Sequence, residues 1–157
     1  MDEDDIEIPT DCQLIVTAKA LVTLGDRLLF VSDDEKNWFL PGGELEPHED
    51  LLTAVTHSVH ETSGLMIKPL RLFCVYESYD QQHKIHAIEN VFHSRFKEIE
   101  DEDHEVNQAT MKFHHYYTLD EIIDNENIFP RFLTYGHWLK SNRSGVQAIY
   151  KGLICAR

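Results

Sequence analysis

The chain has 157 residues, with 14 Lys and Arg against 28 Asp and Glu, a net charge of −14 when the histidines are neutral. That is one domain's length, enough to bury a real core, and 42% hydrophobic with 27% charged residues lies outside the disordered and fibrous ranges. The acidic balance excludes general nucleic-acid binding, which needs a dense Lys/Arg surface, but leaves open a small phosphorylated ligand, because a bound divalent cation reverses the field in an acidic cleft.

Residues 1–10 read as an acidic, solvated tail closed by Pro9, and residues 11–157 as a single domain. The opening Met1-Asp2-Glu3-Asp4-Asp5 lacks the positive charge and apolar core of a secretory leader, so the expected location is cytoplasmic. No apolar run approaches the roughly 20 residues that cross a bilayer. Cys12, Cys74 and Cys155 form no Cys-x-x-Cys pair and read as buried free thiols.

Gln13 to Leu24 is rich in β-branched and apolar residues and predicts a strand, with Gly25-Asp26 as a turn and Leu28 to Val31 as the hairpin partner. After Trp38-Phe39-Leu40, Pro41-Gly42-Gly43 predicts a loop. A helix follows, with Pro47 in its first turn, Glu49 and Asp50 at its positive end and Gly64 as its stop. Its core-facing arc is read as Leu51, Leu52, Val55 and Val59. Arg71 to Tyr79 and His86 to Phe96 predict an antiparallel hairpin. The run Lys97 to Glu105 reads as an acidic loop and Met111 to Tyr117 as extended. Thr118-Leu119-Asp120-Glu121 has capping-box spacing. Pro130 predicts a further helix through about Lys140, with Phe132, Leu133, Gly136 and Leu139 inward, and Val146 to Cys155 a last strand. Strands interleaved with a few helices make a single mixed α/β domain.

The chemistry concentrates between Gly43 and Leu65. Gly43 is followed after five residues by Glu49 and, seven residues later, by His57-Ser58-Val59-His60-Glu61-Thr62-Ser63-Gly64-Leu65. This segment resembles the box of the Nudix hydrolases, with Gly43, Glu49, Val59, Glu61, Gly64 and Leu65 at matching positions. Trp38 to Gly43, His86 to Phe92 and Tyr117 to Ile122 are similar to the family's flanking landmarks, so the resemblance runs from about Lys19 to Ile123. It implies a Nudix-like α/β/α sandwich with a mixed β-sheet between helices. It also implies hydrolysis of a nucleoside diphosphate linked to another moiety, assisted by Mg²⁺ or Mn²⁺.

The box departs from the family where the metal would be held. His57 stands for an Arg, Ser58 for a Glu, and Thr62 for the second residue of a Glu-Glu pair. A diphosphate linkage repels an attacking water, and a divalent cation neutralises that charge while lowering the water's pKa. At about 100° per residue, positions 58, 61 and 62 share roughly a third of the helix circumference. Glu61 is the metal ligand that the resemblance implies, with a backbone carbonyl of Gly42 or Gly43 as a second donor; without the resemblance Glu61 reads as an exposed helix glutamate. Glu49 is placed as a support facing His57, or as a first-turn acid favouring the helix dipole.

Three further readings concern the surroundings. His57, His60 and Glu61 are helix neighbours suited to a transition ion. One carboxylate from Glu98 to Glu105 is placed to reach the cleft, and Tyr79, near a hairpin tip, is a substrate contact. The alternative to an enzyme is a catalytically weakened or inactive Nudix domain that binds a nucleotide ligand or a protein. A homodimer is compatible with either, and no membrane partner is indicated.

Overall fold

The computed structural model describes residues 6–97, 113–140 and 148–155. Among these residues nine strands run in chain order: β1 (Gln13–Leu24), β2 (Arg27–Ser32), β3 (Trp38–Phe39), β4 (Gly42–Glu44), β5 (Ile67–Asp80), β6 (Ile85–Phe96), β7 (Phe113–Thr118), β8 (Ile128–Phe129) and β9 (Ile149–Cys155). Among the described residues the helices are α1 (Leu51–Ser63), α2 (Leu119–Asp124), a 3₁₀ turn at Arg131–Tyr135 and α3 (His137–Lys140).

The strands form one mixed sheet in the order β8-β3-β2-β1-β6-β5-β9, with β4 joined to β1 and β7 to β2. β1 runs parallel to β6 over ten residue pairs, from Gln13 with Ile85 to Val22 with Ser94. β5 and β6 form the expected antiparallel hairpin. Alternation along β1 divides its side chains between two cores. Ala18, Ala20 and Val22 pack with Ala54, Val55 and Val59 of α1. Leu21 packs on the other side with Tyr76, Ile122, Leu133 and Trp138. This is the expected α/β/α layering.

The box helix is shorter than the sequence predicts. It begins at Leu51, after Pro47 and Glu49, because Asp50 is extended (φ −82°, ψ 165°) and its carboxylate caps the helix by accepting from Thr53 N at 2.8 Å. Glu49 belongs to a separate turn, its N–H donating to Glu46 O at 3.2 Å and its carboxylate accepting from Glu46 N at 3.0 Å. Gly64 ends α1 as expected: at φ 75° it occupies the left-handed region, and its N–H donates to His60 O at 2.8 Å.

Other expectations need correction. Leu52 is exposed, in the first turn of the helix, and Ala54 joins Val55 and Val59 in the buried stripe. Gly42 to Glu44 pairs as a short strand rather than looping free. The predicted helix from Pro130 to Lys140 is broken at Gly136, whose left-handed φ of 72° ends a 3₁₀ turn before α3 begins; Leu139 is exposed, while Trp138 enters the core and its indole N–H donates to Leu133 O at 2.9 Å. Of the three thiols only Cys74 is buried, and burial pushes its pKa up to about 12; Cys155 is exposed on β9 and Cys12 is half-buried. The Thr118 capping box is formed in full.

Candidate active site

A short β4 joins the two parts of the candidate site. Its register sets Gly43 opposite Ala18 and Gly42 opposite Lys19. Backbone bonds from Ala20 N to Pro41 O and from Leu45 N to Val16 O, each 2.8 Å, flank these pairs. Alternation along an antiparallel ladder then makes Ala18–Gly43 the bonded pair and turns the Gly42 carbonyl away from β1. Gly42 sits at φ 147°, and a Cβ there would lie 2.2 Å from Ala18 O and 2.8 Å from Lys19 Cα. Only glycine permits this approach.

On the α1 side, a Cβ on Gly43 would lie 3.0 Å from Ser58 Oγ. Ser58 therefore faces β4 directly. Thr62, one turn later, donates its hydroxyl to Ser58 O at 2.8 Å, so its oxygen is engaged within the helix. Glu61 is exposed, and its Oε1 lies 3.1 Å from His57 Nε2 across one helical turn. His57 thus faces Glu61, and the expected contact of Glu49 with His57 is replaced by the Glu49 to Glu46 turn. Among the described residues no three His, Cys, Asp or Glu side chains are grouped to hold a metal ion. The acids of the 98–105 run lie outside the described residues.

Lys19, the ladder partner of Gly42, lines a cavity of about 700 Å³. Its polar lining comes from Lys19 on β1, Glu89 on β6, Lys151 on β9, Glu126 and Arg131. Its apolar wall includes Phe39 and Phe129, stacked with centroids 5.6 Å apart and planes at 26°, and Phe132, over whose ring Lys151 Nζ lies at 5.7 Å. Tyr76 forms part of the wall; burial, and next the negative charge of the nearby Glu89, raise its pKa well above the usual range. Arg131 is held in place, with Nη1 donating to the carbonyls of Ile122, Asn125 and Ile128.

Tyr79, expected to touch substrate, is only 4% exposed and is not among the residues lining this cavity. The neighbouring Tyr76 and Ser78, whose side chains alternate to the other face of β5, line it instead. Lys19, Glu89 and Lys151 were not singled out in the sequence. The available signal was a charged residue set inside an otherwise apolar strand, where burial of charge is costly and invites a reason.

No family model matches the chain. Diphosphoinositol polyphosphate phosphohydrolase 2 of Mus musculus is 33% identical over 64 residues, 40% of this chain and 36% of that protein. The match therefore spans about a third of the curated relative's length. A NUDIX hydrolase from Nitrosomonas europaea superposes with a TM-score of 0.68 at 18% identity, covering 87% of this chain and 93% of that one. An ADP-ribose pyrophosphatase from Streptococcus suis gives a TM-score of 0.62 at 14% identity, over 87% and 98% of the two chains. The α/β fold of this protein is that of the Nudix hydrolases, and the segment from Gly43 to Leu65 that resembles their box runs from the end of β4 through the turn into α1.

Proposed function

We propose that the protein is a Nudix-type hydrolase that cleaves the diphosphate linkage of a nucleoside diphosphate joined to another moiety, assisted by Mg²⁺ or Mn²⁺. The observation that carries this reading is the junction at β4, where Gly43 meets Ser58 of the box helix and Gly42 pairs with Lys19 of the cavity. A diphosphate lying across that junction would have the cationic ends of Lys19 and Lys151 on one side and Glu61 on the other. The stacked Phe39 and Phe129 offer an aromatic wall to a flat base.

The donor set fits a cation that arrives with its substrate. Mg²⁺ retains several waters and uses phosphate oxygens, so one carboxylate and one carbonyl suffice once phosphates are present. Glu61 and the outward carbonyl of Gly42 would hold it. A bound cation would neutralise diphosphate charge and lower the pKa of a coordinated water. His57, against Glu61 Oε1, orients that carboxylate. Lys19 and Lys151 hold the anionic substrate in place and the aromatic wall limits access of bulk water.

A second reading, a binding module with little or no turnover, is favoured by one observation: Ser58 and Thr62 bring no charge to α1, and the Thr62 hydroxyl is spent on Ser58 O. A panel of diphosphate-linked nucleotides assayed with Mg²⁺, with Mn²⁺ and with a chelator separates the two. Turnover abolished by the chelator supports the hydrolase; ligand binding without turnover supports the module.

A further inference from the structure

Resting on the reading of the cavity as the substrate site, we propose that Glu89 selects the group attached to the diphosphate, accepting a neutral group rich in hydroxyl donors and rejecting a polyphosphorylated one. Glu89 is half-buried in the middle of β6, opposite Tyr76 on β5 and Thr17 on β1. Both neighbours carry hydroxyls: Tyr76 is its partner across the β5–β6 ladder, and Thr17 Oγ1 lies 3.5 Å from Oε1. Tyr76 is 5% exposed and its ring is fixed edge-on against Phe132, with centroids 5.2 Å apart, so the strand beside the carboxylate is rigidly packed.

Nothing in the fold requires a charge at this position. The ion pairs among the described residues do not include Glu89. An ionised carboxylate offers about four lone-pair sites, and two protein hydroxyls leave acceptor capacity beside the cavity. A sugar or other polyol can supply the missing donors.

Charge decides what the cavity refuses. Lys19 and Lys151 are matched in number by Glu89 and Glu126, and the Arg131 Nη1 is committed to three main-chain carbonyls. The lysines suit the charge of one diphosphate. Each further phosphate would approach Glu89 or Glu126 with no further cation among the described lining residues to meet it, and like charges at close range repel. The curated relative is named for diphosphoinositol polyphosphates; among the described residues lining this cavity the cations are Lys19, Lys151 and Arg131, too few for a group of that charge.

Calorimetry with α,β-methylene analogues, which prevent turnover, tests the assignment in the presence of Mg²⁺. The probes are the analogues of ADP and ADP-ribose, those of UDP and UDP-glucose, and inositol hexakisphosphate. In at least one nucleotide pair the parent should prefer the sugar-bearing member by about 10–100-fold, the value of one or two hydrogen bonds to a charged acceptor. Inositol hexakisphosphate should bind far more weakly. Glu89→Gln should collapse the preference by weakening the sugar-bearing member alone, and should improve binding of inositol hexakisphosphate. Should Glu89→Gln fail to fold, Glu89→Asp, which keeps the charge but withdraws it by one methylene, should reduce the preference in the same direction.

Lys19→Ala separates the two levels of the argument. If it weakens all nucleotide probes while Glu89→Gln changes both members of each pair equally, or neither, the selectivity proposal is overturned and the site stands. A parent that binds inositol hexakisphosphate as tightly as the sugar-bearing analogues also overturns it. If no nucleotide probe binds the parent, or Lys19→Ala leaves binding untouched, the cavity is not the substrate site and both readings fall.

Discussion

Replacing Gly42 by Ala tests whether β4 is a rigid junction. The residue's φ of 147° lies in a region that side-chain-bearing residues avoid, and occupying it costs about 1–3 kcal/mol. The added Cβ would also lie 2.2 Å from Ala18 O and 2.8 Å from Lys19 Cα. Both obstructing atoms are backbone, so no side-chain rotation removes the overlap, and overpacking of this kind adds about 1–3 kcal/mol. The combined loss is about 2–6 kcal/mol, against a total stability of roughly 5–15 kcal/mol. Gly25→Ala is the control. Its φ is also positive, 62°, but no heavy atom lies within 4 Å of the added Cβ, so only the left-handed strain of about 1 kcal/mol applies. Urea denaturation of both variants reads the difference from the midpoints at constant slope. Nucleotide binding by the folded fraction of Gly42→Ala should also fall, because Lys19 is displaced with the strand. If the two variants lose the same stability to within about 0.5 kcal/mol, β4 is not clamped against β1 and the connection between box helix and cavity is wrong.

Glu61→Gln should remove most metal-dependent turnover, or metal-linked ligand affinity, with little change in melting temperature, since the side chain is exposed; undiminished metal dependence would remove Glu61 from the site. The double change Ser58→Glu plus Thr62→Glu should tighten Mg²⁺ binding and raise turnover, and the variant should melt lower than the parent until Mg²⁺ is added; a folded variant indifferent to Mg²⁺ would show that this face of α1 is not a metal face. His93, buried beside Phe73 and Arg71, has its pKa lowered from 6.5 to about 4, first by burial and then by the Arg71 charge. The unfolded chain therefore binds the proton first, and stability present above pH 6.5 should be lost as pH falls toward 4, by about 3 kcal/mol at most; His93→Gln should flatten that part of the stability profile, and an unchanged profile would refute the assignment. Thr118→Ala removes the side-chain half of the capping box and should cost about 1 kcal/mol in chemical denaturation.

Much of the fold was legible because its signals are local. β1 was readable from the β-branched run Gln13 to Leu24, the end of α1 from Gly64, and the start of α2 from the Thr-x-x-Glu spacing. The beginning of α1 was misplaced because Pro47, Glu49 and Asp50 all suit a helix start, and only the backbone decides which residue is the cap. The 3₁₀ break before α3 was missed for a related reason: Gly136 was read as a small core residue, whereas its positive φ ends one turn and starts the next. The cavity was least legible. Lys19, Glu89 and Lys151 are separated by many tens of residues and become neighbours only through the pairing of β1 with β6, β6 with β5 and β5 with β9.

That difference bears on how the box departures should be weighed. α1 retains every feature needed to pack: a cap at Asp50, a stop at Gly64 and a buried stripe at Ala54, Val55, Val59 and Ser63. What changes is confined to the face toward β4 and solvent, where Ser58 touches Gly43, Thr62 bonds its own helix and Glu61 pairs with His57. Packing constraints and ligand constraints thus act on different faces of one helix, so the fold can be kept while the metal charge is reduced. If the cavity binds the diphosphate as proposed, its lysines would carry a larger share of the anion's charge than they would beside a full set of helix carboxylates holding cations. A carboxylate lining the same cavity as those lysines, as Glu89 does, would then have a correspondingly larger effect on which anion can enter.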